Sequence, residues 1–177
     1  MRMAKISLIP LAVLSQVAFA SAAGQGHGNV HMQGSIIDTP CAIAAESRDQ
    51  SIDLPALPLS TIVSEGAGPA KPFSIKLLNC TSESSLKNHN DWTRYSITFD
   101  GKTSGDNLFD ITGDAAGIGL QLTDSAGNIA VPGKSMPENS LTPDSMSLDY
   151  NLRLVANQQR VQAGTYQSTI RFKMDYY

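Results

Sequence analysis

Aromatic side chains make up only 6% of this 177-residue sequence, with a single tryptophan, and charged residues only 16%. So few rings supply neither a base-stacking platform nor an aromatic shelf for sugars. Thirteen Lys and Arg against sixteen Asp and Glu give a net charge of −3, without a basic cluster, which argues against a nucleic-acid partner. Two cysteines and three scattered histidines fall short of a zinc site. Catalytic signatures are missing as well. Neither G-x-S-x-G nor H-E-x-x-H occurs. Gly101-Lys102-Thr103 would need a glycine at position 96 to form a phosphate loop, and that residue is Ser96. Asp106, Asp110 and Asp114 do not reproduce a calcium loop. His27 and His31 are four apart but separated by a glycine, so they read as solvated histidines rather than a helical ligand pair. No catalytic residue, cofactor or metal is expected.

What is present begins with an export signal. Met1-Arg2-Met3-Ala4-Lys5 is basic, residues 6–14 are mostly apolar, and Ala18-Phe19-Ala20 supplies an A-x-A cleavage pattern. The apolar run is too short to span a bilayer. Residues 1–20 therefore read as a secretory signal, with cleavage after Ala22 as the alternative; a membrane anchor or a buried helix is the competing account. In an exported chain, Cys41 and Cys80 are naturally read as a disulfide, against two free thiols or half of a metal site. Closing a loop of about 40 residues would stabilise the fold by roughly 4 kcal/mol.

Period-two alternation dominates the rest. It predicts strands over 73–78, 95–99, 118–122 and 148–154, with shorter ones over 31–37, 42–44 and 51–54. Turns are expected at Asp100-Gly101 and over 124–128, a brief helix over 59–64, and a loop over 65–72. After Gly164 the even positions read Tyr166, Ser168, Ile170, Phe172, Met174 and Tyr176, and the odd ones are Thr165, Gln167, Thr169, Arg171, Lys173 and Asp175. This is a strand with one face in a core and the other in water, and it needs a partner. Short strands with regular turns point to an all-β sandwich.

The stretch after the signal also alternates. Gly24, Gly26, Gly28, Val30, Met32 and Gly34 share one face, with Gln25, His27, Asn29, His31 and Gln33 between them. A segment this rich in glycine loses much entropy on ordering. It reads either as a tail that becomes a strand on a partner's sheet edge or as an unstructured lead into the first strand.

These features resemble pilin subunits of the bacterial chaperone–usher pathway along essentially the whole mature chain. The resemblance rests on Gly28-Asn29-Val30-His31-Met32-Gln33-Gly34 leading to Pro40-Cys41, on Leu77-Leu78-Asn79-Cys80, and on the ending from Gly164, fourteenth from the C-terminus, to the penultimate Tyr176. It implies an immunoglobulin-like sandwich lacking its last strand and completed in trans by a donor strand. Residues 21–34 would be the N-terminal extension, with Gly26, Gly28, Val30, Met32 and Gly34 as donor positions, and residues 35–177 the pilin domain. Gly164, Tyr166, Ser168, Ile170, Phe172, Met174 and Tyr176 would edge the acceptor groove, and a Cys41–Cys80 disulfide would tie the first strand to the sandwich. Implied partners are a periplasmic pilus chaperone, an outer-membrane usher and neighbouring subunits, in a fimbria on the cell surface. The chain would elongate the fibre or, alternatively, terminate it. A tip adhesin is the less favoured reading, since such proteins carry a lectin domain ahead of the pilin domain, and so is a self-complete periplasmic sandwich.

Overall fold

Alternating segments become strands wherever a neighbouring backbone completes their hydrogen bonds, and the computed structural model shows where that happens. It describes residues 28–34, 39–83, 92–105 and 107–177. The chain divides into two units, Met1–Ser35 and Ile36–Tyr177. The expected signal and the first part of the extension, Gly26 included, lie outside the described residues. In the first unit, residues 28–34 form neither helix nor strand, and Val30 and Met32 are 83% and 88% exposed. Of the strand expected over 31–37, residues 31–34 are therefore not in a strand, and 35–37 lie outside the described residues.

The second unit runs β1 (Ala42–Ile43), α1 (Ala45–Arg48), α2 (Leu59–Glu65), β2 (Lys71–Cys80), β3 (Arg94–Asp100), β4 (Thr112–Gly113), β5 (Ile118–Asp124), β6 (Asn139–Ser140), β7 (Asp144–Ala156), β8 (Tyr166–Gln167) and β9 (Arg171–Tyr176). One sheet has the order β1-β2-β7-β5, a second β6-β3-β9, and β4 pairs with β8. Every pairing is antiparallel. Ile75 and Leu77 of β2, Leu120 and Leu122 of β5, and Leu148 to Leu154 of β7 at alternate positions turn inward from the first sheet. Tyr95, Ile97 and Phe99 of β3 meet them from the second. The rings of Phe99 and Tyr150 touch edge to face across the sheets, with centroids 5.0 Å apart.

The four long strands form where the alternation predicts, each longer by one to four residues at one or both ends, and the expected helix over 59–64 gains Glu65, so the loop expected over 65–72 shortens to 66–70. α2 stops where Gly66, at φ 74°, enters the left-handed region and donates its amide to the Ile62 carbonyl. The turn over 124–128 is held by Asp124, whose Oδ1 accepts from the backbone amides of Ala126 (3.0 Å) and Asn128 (2.8 Å). Cys41 and Cys80 are disulfide-bonded.

Two further expectations are corrected. Residues 51–54 keep their alternation, with Ile52 and Leu54 half-buried, but form no strand, because no described backbone pairs with them. The C-terminal strand is broken into β8 and β9, since its two parts choose different partners, β4 and β3. At the break, the Ser168 hydroxyl donates to the Asp110 carbonyl (2.6 Å). A one-turn helix, α1, follows β1 in a stretch for which no element was expected. It is pinned by Ser47, whose hydroxyl accepts the Lys76 amide (3.0 Å).

Candidate functional site

A groove of about 1010 Å³ with an apolar floor opens along the sandwich. Its floor is Phe73, Phe99, Leu120, Leu122, Leu152 and Leu154. One wall is the irregular segment 47–57 followed by α2, and the other is residues 161–170 with Phe172. The walls run in opposite directions. Residue 50 sits beside β2, where the Gln50 side chain donates to the Ser74 carbonyl (3.0 Å), and Leu57 lies against Gly68 near Leu154. The other wall starts by Ala116, paired with Gln162, and ends at Phe172, paired with Phe99. An extended segment lying between them would find an open edge on β9, which among the described residues is paired only with β3.

Burial shows how far this groove is from a finished core. On β7, Leu148, Tyr150, Leu152 and Leu154 are all buried. The matching apolar face of the C-terminal segment, comprising Tyr166, Ile170, Phe172, Met174 and Tyr176, is only half-buried, as are Ile52, Leu54 and Leu57 opposite. Such side chains each forgo part of the roughly 1.5–3 kcal/mol that full burial contributes.

Of the residues expected at the groove edge, Gly164, Tyr166, Ser168, Ile170 and Phe172 line the cavity. Met174 and Tyr176 continue the same face beyond it, on β9 opposite Ile97 and Tyr95. The expected donor positions Gly28, Val30, Met32 and Gly34 belong to the first unit and are exposed. Sequence reasoning missed the facing wall, although the alternation of Ile52 and Leu54 was its signal. Gly164 lines the wall because nothing larger fits. A Cβ there would lie 2.5 Å from both the Ala115 nitrogen and the Asp114 carbonyl carbon.

At the β9 end of the sandwich the tyrosines cluster, Tyr95 opposite Tyr176 and Tyr150 opposite Asp124. Burial holds all three hydroxyls above their usual value, and the Asp124 charge adds to the effect on Tyr95 and Tyr150. Because the unfolded chain ionises near pH 10 while the folded one resists, their stabilising contribution is whole below about pH 10 and lost progressively above it. Urea midpoints taken from about pH 8 to 11, alongside tyrosinate absorbance, should be flat and then fall. A midpoint unchanged through the alkaline range would contradict it.

The described residues hold no group of three or more metal-ligating side chains, and none of their helices is long and apolar enough to cross a membrane. A family model described as "Fimbrial protein" matches residues 30–177. The chain is 36% identical to the PRS fimbrial minor pilin protein and to the PAP fimbrial minor pilin protein, both of Escherichia coli, over 84% of its length and 77% of theirs. It is 33% identical to the fimbria A protein of Serratia marcescens over 99% of both chains. Among solved structures, it resembles the P pilus rod subunit PapA at a TM-score of 0.70 and 22% identity, covering 78% of this chain and all of that one. That likeness establishes the fold.

Proposed function

Because this chain belongs to the fimbrial protein family, whose members are structural subunits exported and assembled into surface fimbriae, we propose that it enters its fibre by donor-strand exchange. The observation that carries this reading is the half-buried groove beside the open edge of β9. An exposed edge next to apolar surface is an aggregation liability unless another chain covers it. A strand added there would gain main-chain hydrogen bonds from β9, and its alternate side chains would fill the floor. In this account a periplasmic chaperone covers the groove first, the outer-membrane usher is where it is exchanged, and a neighbouring subunit's extension replaces it. The chain's own extension, with Gly26, Gly28, Val30, Met32 and Gly34 on one face, is donated in turn. Its role is architectural, without catalysis.

The test is exchange on the domain lacking residues 1–29, purified with its chaperone and mixed with donor-strand peptides from neighbouring subunits. Release of the chaperone should accompany a rise in Tm of roughly 10 °C, the effect of a ligand present at about a thousand times its Kd on a domain of this size. Stable folding with neither chaperone nor peptide would sink the reading.

One observation favours a terminating role. Leu57 and Ile62 occupy the end of the groove nearest Leu154 and Ile118, Ile62 being buried there, and the two E. coli relatives above are minor pilins. In that case the chaperone complex forms but no peptide displaces it, whereas the extension still enters a neighbour.

A further inference from the structure

The extension offers its partner very little apolar surface, and half of it is chemically labile. Among residues 28–34 only Val30 and Met32 are apolar beyond glycine, and both are exposed. Gly28 and Gly34 flank them on the same face, so no neighbouring side chain on residues 28–34 can compensate for the loss of either. The remaining methionines of the described residues are shielded. Met136 is 6% exposed, and Met146 and Met174 are half-buried against the core.

We propose that Met32 is an oxidation site that controls whether the extension can be donated; the inference rests on the donor-strand reading above. A peroxide is the oxidant. The thioether sulfur attacks one peroxide oxygen, a sulfur–oxygen bond forms, the oxygen–oxygen bond breaks, and water leaves. Sulfur loses two electrons and the peroxide gains them. The product is a sulfoxide, which replaces a flexible apolar side chain with a strong dipole. Turned toward a floor built like this one from Phe and Leu side chains, that oxygen meets no donor, and burying an unpaired polar group is costly. The thioether is accessible while the extension is free and becomes protected once it is inserted, so the same chemistry blocks assembly but spares a finished fibre.

The experiment uses the full mature chain in complex with its chaperone, treated with hydrogen peroxide and mapped by mass spectrometry. Met32 should gain one oxygen before Met136, Met146 and Met174. The treated chain should then enter the open groove of a fimbrial rod subunit roughly tenfold more slowly, or less completely, than the untreated chain. Met32→Leu, treated identically, should keep its rate. Oxidation of all four methionines at one rate would overturn the proposal, as would unimpaired donation by the sulfoxide form. Failure of the untreated chain to donate at all would also overturn it. That last result appears without oxidant, and so marks the fall of the donor-strand reading itself.

Discussion

Replacing Cys41 and Cys80 together by alanine should lower stability by about 4 kcal/mol. Both residues are buried and bonded across a separation of 39 residues. The loop they close holds one entire wall of the groove, residues 47–57 and α2, together with most of β2. Apart from the crosslink, the start of that loop is held by a short ladder and by single hydrogen bonds, among them those of Ser47 with Lys76 and of Gln50 with Ser74. β1 contributes only two ladder positions, Ala42 with Leu78 and Ile43 with Leu77. Beside them are the Thr81 amide on the Pro40 carbonyl (2.8 Å) and the Ala44 amide on the Lys76 carbonyl (2.9 Å). Without the crosslink, the unfolded chain regains the freedom of a long loop, whereas the folded one loses no comparable contact. For the domain filled by a donor peptide, the urea midpoint should fall by about 2 M, given the usual slope for a protein of this size. A shift under about 0.5 M would mean that the ladder of β1 already fixes the loop.

Strand positions were legible because their periodicity is local: Ile75 and Leu77, or Leu148 to Leu154, carry the signal whatever pairs with them. Which strand pairs with which is not local. Nothing in the sequence of the C-terminal segment says that Tyr166 turns to β4 while Phe172 turns to β3. The groove was half legible for the same reason. Its C-terminal wall was expected from the alternation after Gly164 and from the family resemblance. Its other wall, around Ile52 and Leu54, reads in sequence as an ordinary strand, because alternation records a buried face and says nothing about whether the ladder edge is filled. A sequence that alternates like a strand but lacks a ladder is what an incomplete sandwich produces. The disagreement at 51–54 is thus a trace of the same gap that the groove displays.

Substituting Gly164 by alanine should destabilise the domain by about 1–3 kcal/mol and slow donor entry, although it adds one methyl group. The cause is space and not torsion. The new Cβ would meet backbone atoms, the Ala115 nitrogen and the Asp114 carbonyl carbon, each at 2.5 Å, and the Asp114 Cβ at 2.7 Å. No side-chain rotation relieves a clash with backbone, so the two segments must separate. Separation is resisted by the bonds that define this wall. The Asp114 and Ala115 amides both donate to the Thr165 carbonyl, at 2.9 and 3.1 Å, and β4 and β8 pair just beyond. Moving residues 164–166 away from 113–115 therefore loosens Tyr166, which lines the groove. Thr165→Ala is the control. It removes only an exposed hydroxyl bonded to the Asp114 carboxylate (3.1 Å) and should shift stability by under about 0.5 kcal/mol. If Gly164→Ala melts with the parent, the wall is plastic enough to yield. The glycine would then matter for entry kinetics alone, to be read from the rate at which a donor peptide displaces the chaperone. Equal losses in the two variants would instead place the effect in the Thr165 contact, and the close approach of the backbones would explain nothing.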